Sequence, residues 1–131
     1  NEDSHVILRG GKTGCNFDHV SISHLKDLMK GKVNKKVIID CSHGNSNKIH
    51  TNQKIVVDCV MSQYLNGEDL IGGLMIESHL KEGNQKLSNQ LEYGKSITDS
   101  CVDLETTDKI LENISEIWKT KNLLHASNSV Q

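Results

Sequence analysis

The sequence predicts an α/β fold in which parallel strands are covered by helices, and three observations carry that prediction. Short apolar runs recur along the chain, stretches with apolar residues at helical spacing separate them, and glycine or Asn-Gly stands at most junctions. A parallel strand is buried on both faces and reads as a continuous apolar run rather than an alternating one. Runs of that kind alternating with amphipathic helices describe strands that need helices over them. Four such units fit an open sheet or half of an eight-fold barrel. A complete barrel needs about 250 residues, and this chain has 131. No G-x-G-x-x-G follows the first run, so a dinucleotide-binding fold loses its main positive mark.

The first strand is expected over His5-Val6-Ile7-Leu8-Arg9, ended by Gly10-Gly11. Ile22, Leu25, Leu28 and Met29 then fall at helical spacing, and Gly31 supplies a stop. Val37 to Cys41 is the second strand. Ile55, Val56, Cys59, Val60 and Tyr64 form the next helical stripe, closed by Asn66-Gly67. Leu74-Met75-Ile76 is the third strand, entered through Gly72-Gly73. Residues 81–94 carry no helical stripe, and Ser96-Ile97-Thr98-Asp99 is a weaker fourth strand. The last helix has Ile110, Leu111, Ile114, Ile117 and Trp118 on one face, with Thr106 or Thr107 as its cap and Trp118 in the core. Residues 1–124 form the expected domain, and residues 125–131 a polar, disordered tail.

Composition narrows the function. Hydrophobic residues make up 35% and charged residues 24%, as in a globular protein, while aromatics are only 3%, so the core must rest on Ile, Leu and Val. A net charge of -2 gives no basic excess for a nucleic-acid or membrane-surface partner. No apolar run approaches the roughly 20 residues that span a bilayer, and Asn1-Glu2-Asp3-Ser4 is too polar for a signal peptide. A cytoplasmic location is expected. Because the chain opens on Asn1 rather than Met, further chain upstream is expected too. Cys15, Cys41, Cys59 and Cys101 match no zinc module and are expected as free thiols, with a ligand role for Cys41 or Cys101 as the alternative.

The ends of the strands carry the chemistry. The first ends in Arg9, the second in Asp40-Cys41-Ser42-His43, the third in Glu77-Ser78-His79 and the fourth in Asp99. In parallel α/β folds the carboxyl ends of strands converge on the active site. An imidazole and two carboxylates facing one opening would suit Mn, Fe, Co or Zn. A lone Asp or His at such a place is more often a turn former or a helix cap. Arg9-Gly10-Gly11-Lys12 adds a second theme. Glycines let backbone amides approach an anion while Arg and Lys supply charge, and a guanidinium on a buried strand end needs an anionic partner. An ordinary tight turn with solvated cations is the competing reading. His19, His24, His50 and His125 read as surface residues.

At these strand ends the sequence resembles the type I 3-deoxy-7-phosphoheptulonate (DAHP) synthase family, in its microbial and fungal form. Ile7 to Lys12 resembles I-L-R-G-G-K, and Asp40 to Lys48 resembles D-x-S-H-[AG]-N-S-x-K with Gly44 in the fungal-like place. Gly73 to Ser78 and Glu82 to Gln85 are similar to G-x-M-x-E-S and E-G-N-Q, and Tyr93 to Cys101 to Y-G-x-S-I-T-D-A-C. The matches come in family order from His5 to Trp118.

The resemblance implies the C-terminal half of a (β/α)8 barrel. It implies condensation of phosphoenolpyruvate with erythrose 4-phosphate, the first step of the shikimate pathway, with release of phosphate. The family's divalent metal is held by a Cys, a His, a Glu and an Asp, of which His43, Glu77 and Asp99 are the counterparts here. Arg9 would bind the phosphoenolpyruvate phosphate, with Lys12 beside it. Arg9, His43 and Asp99 are the implied catalytic residues, with Asp99 also touching substrate. The metal-binding Cys, a K-P-R-T motif and further phosphate contacts belong to the family's N-terminal half and have no counterpart here. A fragment inactive alone, and a homo-oligomer when complete, are the expectations. Its outer strands would present unpaired edges.

Three departures from the family pattern stand out. Val102-Asp103-Leu104 replaces a common I-G-W, Cys41 replaces an often aromatic residue, and residues 81–92 differ around E-G-N-Q. Two other readings stay open. One is a non-catalytic half-barrel that binds metal or phosphate; the other is the related synthase that makes an eight-carbon sugar acid from arabinose 5-phosphate.

Overall fold

The computed structural model of the protein describes residues 4–31 and 36–128. Residues 1–3 of the expected domain and 129–131 of the expected tail lie outside the described residues. The element order is β1 (Val6–Leu8), α1 (His19–Leu28), β2 (Val37–Asp40), α2 (Asn52–Leu65), β3 (Ile71–Met75) and α3 (Leu104–Asn128). The strands form one parallel sheet in the order β1-β2-β3, with Ile7 opposite Ile38 and Ile38 opposite Gly73. This α/β architecture of parallel strands joined by helices is the one expected.

Alternation along β2 sets the core. Val37, Ile39 and Cys41 are fully buried on one face, where they meet Ile22 of α1 and Val56, Val57 and Val60 of α2. The helical stripes are shifted slightly from expectation: Leu28 and Ile55 are exposed, while Met29, Val57 and Met61 fill their places in the core. Asp18 starts α1 by accepting hydrogen bonds from the Ser21 amide at 3.0 Å and the Ser21 hydroxyl at 2.7 Å. α2 closes on Asn66 and on Gly67, whose φ is +100°.

β3 begins three residues earlier than expected, at Ile71, and takes both glycines into the strand. Val37 pairs with Ile71 but Ile38 with Gly73, so Gly72 is the extra residue of a bulge. A Cβ there would come within 2.8 Å of the Lys36 Cβ, which explains the glycine.

The fourth strand does not form. Residues 96–102 make only isolated bridges, Ser96 with Asn84, Cys101 with Gly83 and Val102 with Ser78. The Ser96 hydroxyl accepts from the Thr98 amide at 3.1 Å, a local bond that competes with a sheet ladder. The described chain therefore holds three strand–helix units, not four.

α3 is capped by Asp103, not by Thr106 or Thr107. The Asp103 carboxylate accepts from the Thr106 amide at 2.8 Å and its carbonyl from the Thr107 hydroxyl at 2.7 Å. The departure at Val102–Leu104 thus supplies a helix cap. α3 packs on α2 through buried Ile110, and Lys121 lies 3.6 Å from the centroid of the Tyr64 ring. Trp118 is not core: it is 55% exposed and lines a groove of about 880 Å³ with Leu111, Ile114, Tyr64 and Met61. Residues 125–128, expected as tail, continue the helix. Among the described residues no helix is long and apolar enough to cross a membrane.

Replacing the α1 cap, Asp18→Ala, should cost about 1 kcal/mol, read as a lower urea midpoint at pH 7. The Ser21 bonds hold the Asp18 carboxyl below its ordinary value. The cap's contribution is therefore full above about pH 3.9 and is lost as pH falls through the lower folded value. The difference between parent and variant should shrink over that acidic range.

Candidate metal centre

The second strand delivers the first ligand. Asp40, on the face opposite Ile39, is 1% exposed, and a buried carboxylate must be matched by hydrogen bonds. Its Oδ1 accepts from the Ser42 amide and its Oδ2 from Nδ1–H of His43, each at 2.8 Å. His43 adopts a positive φ of +42° to make this return. With Nδ1 donating, Nε2 keeps its lone pair and faces Glu77 Oε1 at 3.6 Å and Asp99 Oδ2 at 3.3 Å.

Glu77 is fixed twice. Its Oε2 accepts from the Ser42 hydroxyl at 2.6 Å. Gln53, fully buried in the first turn of α2, accepts from the Glu77 amide at 2.9 Å and donates to its carbonyl at 3.1 Å. Asp99 sits on the segment that fails to become a strand. That segment is held by residues 83–85: Gly83 and Cys101 exchange backbone bonds of 2.8 and 3.1 Å, the Gln85 amide donates to Ser96 at 2.8 Å, and Asn84 Nδ2 donates to the Thr98 carbonyl at 2.9 Å.

One donor atom from each of His43, Glu77 and Asp99 lies within 4.8 Å of the others. Donors about 2.1 Å from one ion at tetrahedral angles sit roughly 3.4 Å apart, close to the 3.3 and 3.6 Å from the imidazole. One nitrogen and two carboxylate oxygens suit a borderline divalent ion, so the donor set fits the group. Cys41 does not join it: its thiol is on the helix face, donates to the Ile39 carbonyl at 3.7 Å, and is pushed up to about 12 by burial and then by Asp40. Burial also raises the Cys101 thiol.

The R-G-G-K loop departs from expectation. Arg9 is exposed rather than buried, and among the described residues neither it nor Lys12 has a side-chain hydrogen bond or ion pair. Burial therefore does not oblige Arg9 to have an anionic partner. The glycine amides are already occupied, Gly10 donating to Asn16 Oδ1 at 2.7 Å and Gly11 to the Gly14 carbonyl at 3.0 Å. Gly10 serves a close approach instead. At φ +71°, a Cβ there would lie 2.6 Å from the Asn45 amide nitrogen, and one on Gly44 would lie 2.8 Å from the Gly10 carbonyl carbon. Two loops thus touch backbone to backbone, and Asn45 sews them together by donating to the carbonyls of Leu8 and Asp40 at 3.1 and 2.9 Å. The structure places Arg9 at the end of β1, its carbonyl accepting from the Asn45 amide at 3.1 Å, without bringing its side chain into the cluster.

Asp40, Ser42, Asn45 and Gln53 are the positioning residues that the reading of single strand ends missed. The D-x-S-H-x-N spacing contained the first three. Gln53 gave no signal beyond being polar within an apolar helix. Gln53→Ala strands the amide of Glu77, whose carbonyl keeps the bond from the Val102 amide at 3.0 Å, and should cost about 1–3 kcal/mol, measured as a shift of the denaturant midpoint.

The sequence profile of the DAHP synthetase I family matches residues 1–112. The chain is 44% identical over 130 residues to phospho-2-dehydro-3-deoxyheptonate aldolase AMT16 of Alternaria alternata, covering 95% of this chain and 35% of that protein. It is 41% identical over 126 residues to the phenylalanine-inhibited phospho-2-dehydro-3-deoxyheptonate aldolase of Saccharomyces cerevisiae, covering 88% of this chain and 34% of that one. A solved phospho-2-dehydro-3-deoxyheptonate aldolase from Francisella tularensis SCHU S4 superposes with a TM-score of 0.86 at 45% identity, over 92% of this chain and 36% of that one. The chain spans about a third of the length of these relatives.

Proposed function

The chain belongs to the DAHP synthetase I family, and we propose that it forms the C-terminal units of a (β/α)8 barrel that condenses phosphoenolpyruvate with erythrose 4-phosphate. The observation that carries this reading is the convergence of His43, Glu77 and Asp99 beyond the carboxyl ends of β2 and β3. Barrel enzymes keep their chemistry at that end of the sheet. The chain's 131 residues are about half of the roughly 250 that such a barrel needs, which supports the C-terminal half of one. β1 and β3 are the sheet edges that upstream units would pair.

His43 Nε2, Glu77 Oε1 and Asp99 Oδ2 would hold one divalent ion, of Mn, Fe, Co or Zn. When bound, such an ion supplies Lewis-acid polarisation of the aldehyde oxygen or activation of water. Asp40 holds the imidazole in the tautomer that leaves Nε2 free, and Ser42 and Gln53 keep Glu77 aimed. In the reaction, the methylene carbon of phosphoenolpyruvate attacks the aldehyde carbon, water adds at the enol carbon, and inorganic phosphate leaves. Arg9, solvent-facing and unpaired within the described chain, is free to grip the phosphate and stabilise charge on the departing oxygen, with Lys12 alongside. Asp99, the most exposed ligand side chain at 38%, is the one best placed to touch substrate as well. The partners would be the upstream barrel units and further copies of the chain, in the cytoplasm.

The 131-residue chain alone should release no phosphate from the two substrates. The full-length protein should do so with erythrose 4-phosphate and not with arabinose 5-phosphate. Turnover by the isolated chain, or a preference for the pentose phosphate, would refute the reading. Metal binding without product in the full-length protein would favour a non-catalytic binding role. In the full-length protein Asp40→Asn should weaken metal binding about 10–100-fold, and His43→Ala by more than that, both measured by competition with a chromogenic chelator.

A further inference from the structure

We propose that His50 is a positioning residue for Asp99, acting through the hydroxyl of Ser100; the proposal rests on the metal reading of the site. Asp99 is the ligand with the least support of its own. Glu77 is gripped by Ser42 and Gln53 and His43 by Asp40, whereas among the described residues the Asp99 carboxylate meets only His43 Nε2, at 3.3 Å. Its place must therefore come from its backbone.

That backbone is tied on both sides, while at Asp99 itself the carbonyl accepts, among the described residues, only from the Cys101 thiol at 3.5 Å. Residues 83–85 bond to residues 96, 98 and 101 and skip the two between. The gap is filled from elsewhere. His50, in the loop before α2, lies with Nδ1 2.7 Å from Ser100 Oγ, and its Nε2 is 3.5 Å from Glu82 Oε2. A carboxylate beside Nε2 favours the tautomer with its hydrogen there, so the Ser100 hydroxyl donates to Nδ1. The contacts close a ring: His50 to Ser100, Ser100 through Cys101 to Gly83, and Gly83 through Glu82 back to His50. The imidazole is not the surface residue expected from sequence, since only 22% of its side chain is exposed.

His50 also belongs to the stretch that governs the other ligands. Between His43 and Gln53 the chain supplies one ligand, grips the backbone of Glu77, and bolts the residue next to Asp99. A carboxylate ligand whose carrier is fixed loses less freedom when it binds an ion, so removing the bolt should lower affinity while leaving the apo fold intact.

The test uses Co2+ and the full-length protein, comparing Ser100→Ala, His50→Ala, His50→Asn and His43→Ala by chelator competition, by the visible ligand-field spectrum and by apo thermal unfolding. Alanine at position 100 is the residue in the family pattern Y-G-x-S-I-T-D-A-C, so that variant should fold. Ser100→Ala and His50→Ala should each raise the Co2+ dissociation constant about 10–100-fold and perturb the spectrum, with apo unfolding unchanged for Ser100→Ala. His50→Asn, whose amide reaches the Nδ1 position, should recover most of the loss. Parental affinity in Ser100→Ala overturns the proposal. So does a loss that His50→Asn does not recover, or one matched by a fall in apo stability. Co2+ binding that survives His43→Ala, or is missing in the parent, overturns the metal reading itself and this proposal with it.

Discussion

The buried carboxylate of Asp40 is the constraint on which the site depends. It ends the central strand, where a charge with almost no solvent must find donors in the protein. It finds them in the next three residues, the Ser42 amide and the His43 imidazole. Satisfying that charge bends the chain into a left-handed residue at His43 and selects which imidazole nitrogen is available. The same turn points the Ser42 hydroxyl at Glu77 on the neighbouring strand. One desolvated charge thus orients two of the three candidate ligands.

From that turn the constraint spreads through close backbone contact rather than through apolar packing. Gly44 meets Gly10 at a distance that no side chain tolerates, and Asn45 bonds across both strand ends. Farther along, Gln53 is a fully buried amide whose two polar ends match the amide and carbonyl of Glu77. A partly satisfied polar network would be worse than an apolar one. Among the described residues the single buried side-chain atom without a partner is Gln63 Oε1, which lies outside this network.

Much of this was legible in the sequence, for identifiable reasons. Strands and helices with strong apolar periodicity are readable, and the rule that chemistry gathers at strand carboxyl ends collects Asp40, His43, Glu77, His79 and Asp99, among which the family resemblance selects His43, Glu77 and Asp99. Failures came where side chains override pattern. Ser96-Ile97-Thr98 has strand-like residues, yet the Ser96 hydroxyl captures the Thr98 amide and the ladder is lost. Asp103 outcompetes Thr106 as a cap because a carboxylate one turn earlier reaches the free amides first. Trp118 lies on an apolar stripe, but a stripe shows only which face seeks cover, not whether the described chain supplies it. Arg9 was assigned burial from its place after an apolar run, whereas β1 is an edge strand and leaves it in solvent.

The open apolar surface and the ligand cluster share β3 but no bonds. The groove beside Trp118 runs from His5, Val37 and Ile71, where the strands begin, to Leu74 and Ile76, the residue before Glu77. His43, Glu77 and Asp99 lie where β2 and β3 end and beyond. In barrels the first end governs stability and the second chemistry. The bonds that fix the ligands start and finish between Asp40 and Val102, and none of them involves a residue lining the groove. Covering the groove would therefore stabilise the sheet without reshaping the ligand cluster. The arrangement of the three donors is a property of the strand-end loops themselves, set by buried polar atoms that have one way to be satisfied.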